Sequence, residues 1–286
     1  MNPPLFLPGV AGWSALVLAT ALAAARPHAP PSWRDDPVWH DGLAEKCVYE
    51  ASRTLYDIPR SYRATAYTDK ELADPRTTVK TEAKDGVPVF KHHWSECAPT
   101  EHYDYDYSTM TYTRSDDLTP FKLTAATEED CGASFKEAWR EGSAIRWFDS
   151  VYFPDGGRRE GKLEVVPNLV FADALTLVLR DFDFDGRPER RLRVIPSQRD
   201  THRVSFEPRE RVVRYAGESE IELPIGLVRA HELQLATPDG NVEARYWFAS
   251  DGRTPWLHVL VRYEGADGLA FRLKSHERTA YWKRTP

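Results

Sequence analysis

Glu101-His102-Tyr103-Asp104-Tyr105-Asp106-Tyr107-Ser108-Thr109-Met110-Thr111-Tyr112-Thr113 is the stretch that decides how this chain folds. Tyr103, Tyr105 and Tyr107 alternate with His102, Asp104 and Asp106. Successive side chains of a strand point to opposite faces, so this period of two sets all three rings on one face and both carboxylates on the other. Packed in a core, the three phenol hydroxyls would each need a partner. Facing a cavity, the rings would form an amphipathic wall suited to acyl chains or glycans.

Working outward, short β-like runs bounded by Gly, Pro and Asp recur in both directions. Toward the N-terminus they fall at 44–53, 62–69, 77–81 and 87–94, and toward the C-terminus at 120–126 and 145–153. The run 135–139 fits strand or helix equally well. Beyond residue 190, strands are expected at 191–195, 202–206, 211–215, 220–223, 228–235, 242–248, 257–263 and 269–273. Pro238-Asp239-Gly240 and Gly265-Ala266-Asp267-Gly268 supply hairpin turns between them. Val242, Ala244, Tyr246 and Phe248 share a side, as do Leu269, Phe271 and Leu273, while Arg191, Arg193, Arg203, Arg245, Arg272 and Lys274 fall on polar sides. One covered face and one wet face describe an antiparallel sheet.

A single segment changes period. Phe171, Ala174, Leu175 and Val178 fall at i, i+3, i+4 and i+7, with Asn168 placed as an N-cap, so the spacing predicts a helix over 169–180. The expected fold is therefore mainly β. It is a long curved antiparallel sheet, a half-barrel of one lobe or of two meeting near 160–170, with one internal covering helix.

Composition agrees. Of 286 residues, 41% are hydrophobic, 29% charged and 12% aromatic, which excludes a disordered chain and a polytopic membrane protein. Lys and Arg number 38 against 44 Asp and Glu. That mild acidity argues against non-specific nucleic-acid binding, which needs a basic face.

The N-terminus carries an address. Residues 5–25 have no charge, 13–22 form a compact apolar run, and Ala21-Leu22-Ala23 and Ala23-Ala24-Ala25 both offer small-x-small cleavage sites. A secretory signal peptide at 1–25, a Pro-rich spacer at 26–40 and a β-rich domain at 41–286 follow, with export to the periplasm or cell envelope. The n-region lacks Lys and Arg, which leaves a retained anchor as the alternative, although Pro8 and Gly9 would break such a span. Cys47, Cys97 and Cys131 are the only cysteines. Oxidising conditions would allow one bridge with a thiol left over, and three pairings stay open.

No motif discloses a reaction. Asp181-Phe182-Asp183-Phe184-Asp185-Gly186 copies the first half of a calcium loop, but Leu192 stands where the bidentate Glu belongs and Pro188 interrupts, so a turn is expected. Gly156 to Lys162 approaches a phosphate-binding loop yet continues into Leu163 rather than Ser or Thr, which suggests a surface turn. His92, His93, Cys97 and His102 cluster in sequence, but neighbours on a strand face opposite ways, so only one of His92 and His93 could join a site. No metal, cofactor or catalytic residue is expected.

Two sets of motifs carry a resemblance. Asp41-Gly42-Leu43-Ala44-Glu45, Val87-Pro88-Val89-Phe90-Lys91, Tyr103-Asp104-Tyr105 through Met110, and Cys131-Gly132 resemble a group of uncharacterised exported bacterial proteins, with Asp130 where that group often has Trp. Asp173-Ala174-Leu175 through Arg180, Gly186, Leu223-Pro224-Ile225-Gly226, Arg245-Tyr246-Trp247-Phe248 and 268–273 resemble an exported domain-of-unknown-function family. Its members look like the half-barrel of bacterial lipoprotein-sorting factors, a curved sheet cupped around a helix. The resemblance implies a fold and a compartment and transfers no catalytic residue.

The expectation is an envelope-associated protein that binds or carries an amphipathic ligand, a lipid or lipoprotein, with contact at a membrane surface. Tyr103, Tyr105, Tyr107, Phe171, Tyr246 and Phe248 are the candidate ligand-binding residues. The alternatives are an assembly protein docking another envelope protein through its sheet and, third, an enzyme acting on glycans.

Overall fold

The alternation of Tyr105 and Tyr107 with Asp104 and Asp106 forms a ladder, and its neighbours join it on both sides. The computed structural model describes Met1 and residues 32–154, 156–186 and 188–283. The segment expected to be a signal peptide, beyond Met1, with the expected cleavage sites, and the first part of the expected spacer lie outside the described residues. Eight strands form an antiparallel meander: β1 (Ala44–Leu55), β2 (Ile58–Ala73), β3 (Val87–Pro99), β4 (Asp104–Arg114), β5 (Pro120–Glu129), β6 (Gly132–Glu141), β7 (Ala144–Val151) and β8 (Gly157–Glu164). The short β9 (Leu169–Phe171) precedes a second meander of β10 (Glu189–Ile195), β11 (Arg209–Leu223), β12 (Gly226–Ala236), β13 (Val242–Ala249), β14 (Leu260–Gly265) and β15 (Ala270–Thr279). β1 pairs with both β2 and β15, fusing the meanders into one 15-stranded sheet with β8 and β9 at its edges.

Although β9 forms one edge, it lies against β5 in the other half of the sheet. Only a strongly curved sheet permits that contact. Bulges in the β1–β15, β11–β12 and β13–β14 ladders add to the bend, and Gly217, at φ 124°, supplies one of them. The concave face carries the core, and the segment 172–181 sits against it. Phe171, Leu175 and Val178 join Tyr246, Phe248, Val259 and Phe271 in one buried cluster.

That segment is shorter and less regular than a helix over 169–180. Leu169–Phe171 pairs in parallel with β10, and only then do a 3-10 turn, one α-helical turn at Leu175–Val178 and a second 3-10 turn follow. Asn168 is no N-cap: its φ is 60°, and its carbonyl accepts from Arg193 N at 2.9 Å. Three consecutive buried residues, one of them β-branched, gain more from the sheet than from a first helical turn.

Other local expectations change for equally physical reasons. Residues 77–81 make only one bridge to the sheet, because Asp74 Oδ1 captures the backbone N–H groups of Arg76 and Thr77 in a turn. The undecided run at 135–139 is strand, within β6. The phosphate-loop lookalike is the edge strand β8, whose charges blunt an exposed edge. Its Gly161 lies beneath the Trp147 indole, where a Cβ would approach to 2.4 Å. Residues 202–206 belong to a strap, 196–208, that crosses the concave face instead of joining the sheet. Within the spacer, 33–40 forms two 3-10 turns, and Trp33 and Trp39 pack on Phe90.

Candidate functional site: a cleft under the strap

On the concave side, Tyr105 and Tyr107 of β4 stand parallel with ring centroids 6.1 Å apart and exposures of 6% and 5%. Arg53, near the end of β1, lays its guanidinium 4.1 Å over the Tyr107 ring. The facing wall is the strap, which Lys136 anchors. Inward alternation on β6 drives this lysine beneath the strap, where Nζ donates to the carbonyls of Gln198, Asp200 and His202 at 3.2, 2.9 and 2.6 Å. Burial pushes the Lys136 ammonium below its ordinary range. Asp173 secures the same loop, accepting from Ser197 Oγ at 2.6 Å and Gln198 N at 2.8 Å. Phe206 stacks on Trp147 at 4.8 Å.

So held, the strap delivers Arg199 to Glu96. Arg199 Nη1 lies 2.8 Å from Glu96 Oε1, and Arg53 Nη2 lies 3.8 Å from Oε2. Trp94 Nε1 also donates to Glu96 Oε1, at 2.8 Å, and the Tyr62 hydroxyl donates to Oε2. One carboxylate thus organises two guanidiniums. Burial opposes the charge on Arg53, but Glu96 outweighs it and raises the Arg53 pKa.

Two adjoining cavities open here, of about 560 and 220 Å³, and both touch Arg53, Arg199, Asp267 and Leu269. Tyr105, Tyr107 and Glu129 line the larger, and Trp94, Tyr246 and Phe271 the smaller. A depression of about 600 Å³ elsewhere is lined by Glu50, Arg63, Arg272 and Lys274, and the Lys274–Glu50 pair (3.2 Å) belongs to it. The cleft is the better-built site, because its polar groups are fixed by neighbours and converge.

Tyr56 occupies the rim. It sits in the two-residue turn between β1 and β2 with φ 53°, a region that disfavours a bulky side chain. Its hydroxyl is 2.5 Å from that of Tyr105 and 3.2 Å from that of Tyr103, and Tyr103 in turn meets Cys131 Sγ at 3.4 Å. Burial, then the neighbouring Glu129 and Tyr56, push the Tyr105 phenol well above its ordinary pKa, so it stays a donor.

Of the residues expected to bind ligand, Tyr105 and Tyr107 line the large cavity, Tyr246 the small one, and Tyr103 stands at the rim. Phe171 and Phe248 sit in the core instead: they are 1% and 0% exposed and line neither cavity. Arg53, Tyr56, Glu96, Glu129 and Arg199 were not anticipated. Glu96 was legible, since it shares the inward parity of His92 and Trp94 on β3.

The remaining candidates resolve into local roles. His92 is buried between Thr68 Oγ1 (2.8 Å) and Thr176 Oγ1 (3.0 Å), and burial lowers its pKa to about 3. His93 points the other way, toward Ser108 at 3.1 Å. Asp181 pairs with Arg34 at 3.2 Å, and Asp183 Oδ1 accepts from Gly186 N at 3.0 Å, closing the turn. All three cysteines are free thiols, Cys47 buried and the other two exposed.

Glu45, Cys47 and His276 bring potential metal-ligating atoms within 4.8 Å of one another. The donor set does not fit an ion. Arg180 already takes both carboxylate oxygens of Glu45, at 2.7 and 3.0 Å, and burial pushes the Cys47 thiol well up.

Fold and cleft together define the class: an open, curved antiparallel β protein with a ligand-sized cleft on its concave face. No protein-family profile matches the chain, and no curated protein matches its sequence. A solved structure described as a beta-barrel-like protein of domain of unknown function DUF1849 from Brucella abortus is similar to it, at 9% identity and a TM-score of 0.49, over 82% of this chain and 98% of the other. Among the described residues no helix is long and apolar enough to cross a membrane.

Proposed function

We propose that this protein binds and carries an amphipathic small molecule in the cleft, as a binding protein rather than a catalyst. The observation that carries this is the division of the larger cavity's lining. Its about 560 Å³ falls within the range of about 300–1,000 Å³ usual for ligand sites, with tyrosine rings on one wall and fixed charged groups on the other. A ligand with an apolar body and a polar head matches such a lining. Glu96 and Asp173 are each saturated by fixed donors, which suits positioning better than proton transfer.

The role is assigned to the cell envelope on the uncharged run at 5–25. The resemblance to lipoprotein-sorting half-barrels supports a lipid or lipoprotein-derived ligand, met at a membrane surface.

The test is extraction and mass spectrometry of molecules that co-purify with the protein from its own host, beside a Nile red titration of the purified chain. A bound amphiphile and saturable Nile red binding, weakened by Tyr107→Ala, are expected. Absence of both would overturn the proposal in favour of an assembly protein that docks through its sheet. A co-purifying oligosaccharide would favour the glycan alternative.

A further inference from the structure

Glu129 ends β5 and lines the larger cavity, yet it is only 9% exposed, and its Oε2 has no hydrogen-bond partner. Among the described residues, the basic side chains at this cavity are engaged elsewhere. Arg53 and Arg199 turn to Glu96, His202 faces Asp200, and Lys136 points at three carbonyls. The Tyr105 hydroxyl is its neutral neighbour, but a carboxylate taken out of water with no cation at hand is costly, so a site that keeps one invites a charged donor from outside. Around it stand aromatic rings, Tyr105 and Tyr107 in the wall and Tyr56 above them. Ring faces attract a cation, and a carboxylate at the end of the same space gives it a hydrogen-bond acceptor.

We infer that the cleft recognises a ligand bearing a primary ammonium group, which donates to Glu129 Oε2 within the tyrosine wall. The inference rests on the amphipathic-carrier proposal and names its head group. Tyr56 stands at the entrance. Its side chain is 67% exposed and comes from a tight turn, so its ring can move aside without disturbing the core. The ammonium supplies the charge that Glu129 lacks, and Arg53 and Arg199 stay with Glu96.

The experiment compares dodecylammonium with dodecanol, equal in chain and different in head, by calorimetric titration below their micelle concentrations at pH 7. Wild type is expected to bind dodecylammonium at least about tenfold more tightly, and Glu129→Gln to abolish that preference while keeping its dodecanol affinity. Equal wild-type affinities, or a preference that survives Glu129→Gln, would overturn the inference and leave the carrier proposal standing. Thermal melts with millimolar butylammonium or butanol separate the two ideas if neither long-chain probe binds. Stabilisation by butylammonium alone, lost in Glu129→Gln, would support the ammonium site and sink the carrier; no effect would sink both. Urea melts guard against a structural explanation, because a Glu129 held by a cation of the fold would destabilise it when changed to Gln, whereas one beside only the Tyr105 hydroxyl would not.

Discussion

Arg180 and Glu45, 135 residues apart, meet as a two-pronged ion pair with Nη2–Oε1 at 2.7 Å and Nη1–Oε2 at 3.0 Å. Their side chains are 2% and 1% exposed, so the pair ties the covering segment to the first strand inside the core. Burial alone would raise the Glu45 pKa, but Arg180 and His276 outweigh it and hold the carboxyl below its ordinary range.

Breaking this pair from one side leaves a buried charge alone. Arg180→Met or Glu45→Gln should each cost about 3–5 kcal/mol in urea unfolding. Glu45→Leu combined with Arg180→Met should recover much of that loss. A double variant no more stable than either single one would show that the pair's net contribution, rather than the orphaned charge, sets the cost.

Stability should fall on mild acidification, and His92 should account for part of the slope. Its pKa is about 3 when folded against an ordinary value of 6.5, so between those values the unfolded chain takes up a proton that the folded chain refuses. The contribution is intact above pH 6.5 and is lost progressively below it, at up to about 1.4 kcal/mol per pH unit. Urea melts from pH 7 to 4.5 should show a slope that His92→Gln reduces by about one proton. Parallel slopes in the two proteins would refute the assignment.

The strap should depend on one lysine. Lys136→Met strands three carbonyls that now share an ammonium, at a cost of about 2–3 kcal/mol. Arg199 and Arg203 lie on the strap, so trypsin should cut there first in the variant and not in wild type. Identical cleavage patterns would mean that Asp173 and Phe206 hold the strap without help.

Tyr56 should prove dispensable for stability and important for access. Tyr56→Gly removes a bulky residue from a positive-φ position and should leave stability unchanged or raise it by about 0.5–1 kcal/mol. Nile red should leave the variant several-fold faster in stopped-flow displacement. A slower release, or a loss of more than about 1 kcal/mol, would show that the ring packs rather than gates.

The strand alternation was legible because each residue's face is a local property: Tyr105 and Tyr107 point inward for the reason the spacing predicted. What escaped was non-local. Nothing near Lys136 in sequence announces the strap carbonyls more than 60 residues away, at separations of 62, 64 and 66. Residues 202–206 alternate like a strand, yet Lys136, Asp149 and Trp147 hold the strap against the sheet instead. The covering segment was misjudged at its start, since the apolar spacing of Phe171, Leu175 and Val178 is shared by a helix and by a strand turning into one. Phe171 and Phe248 point inward as their spacing requires, yet they are packed in the core and line neither cavity, because pattern separates inside from outside but not packed from hollow.

The seam between β1 and β15 bears on how the molecule is made. Register there matches Ala44 to Thr279 and Ala51 to Phe271, so the first strand to leave a ribosome meets its second partner only after the last has been translated. The β1–β8 meander can zip from hairpin to hairpin as it emerges, and so can the β10–β15 meander after it. Throughout that interval β1 presents a bare edge of twelve residues, the kind of surface that invites pairing between nascent chains. Synthesis of this sheet therefore has a vulnerable middle, and slowed translation between residues 60 and 270 should raise aggregation more than the same delay after β15 has emerged.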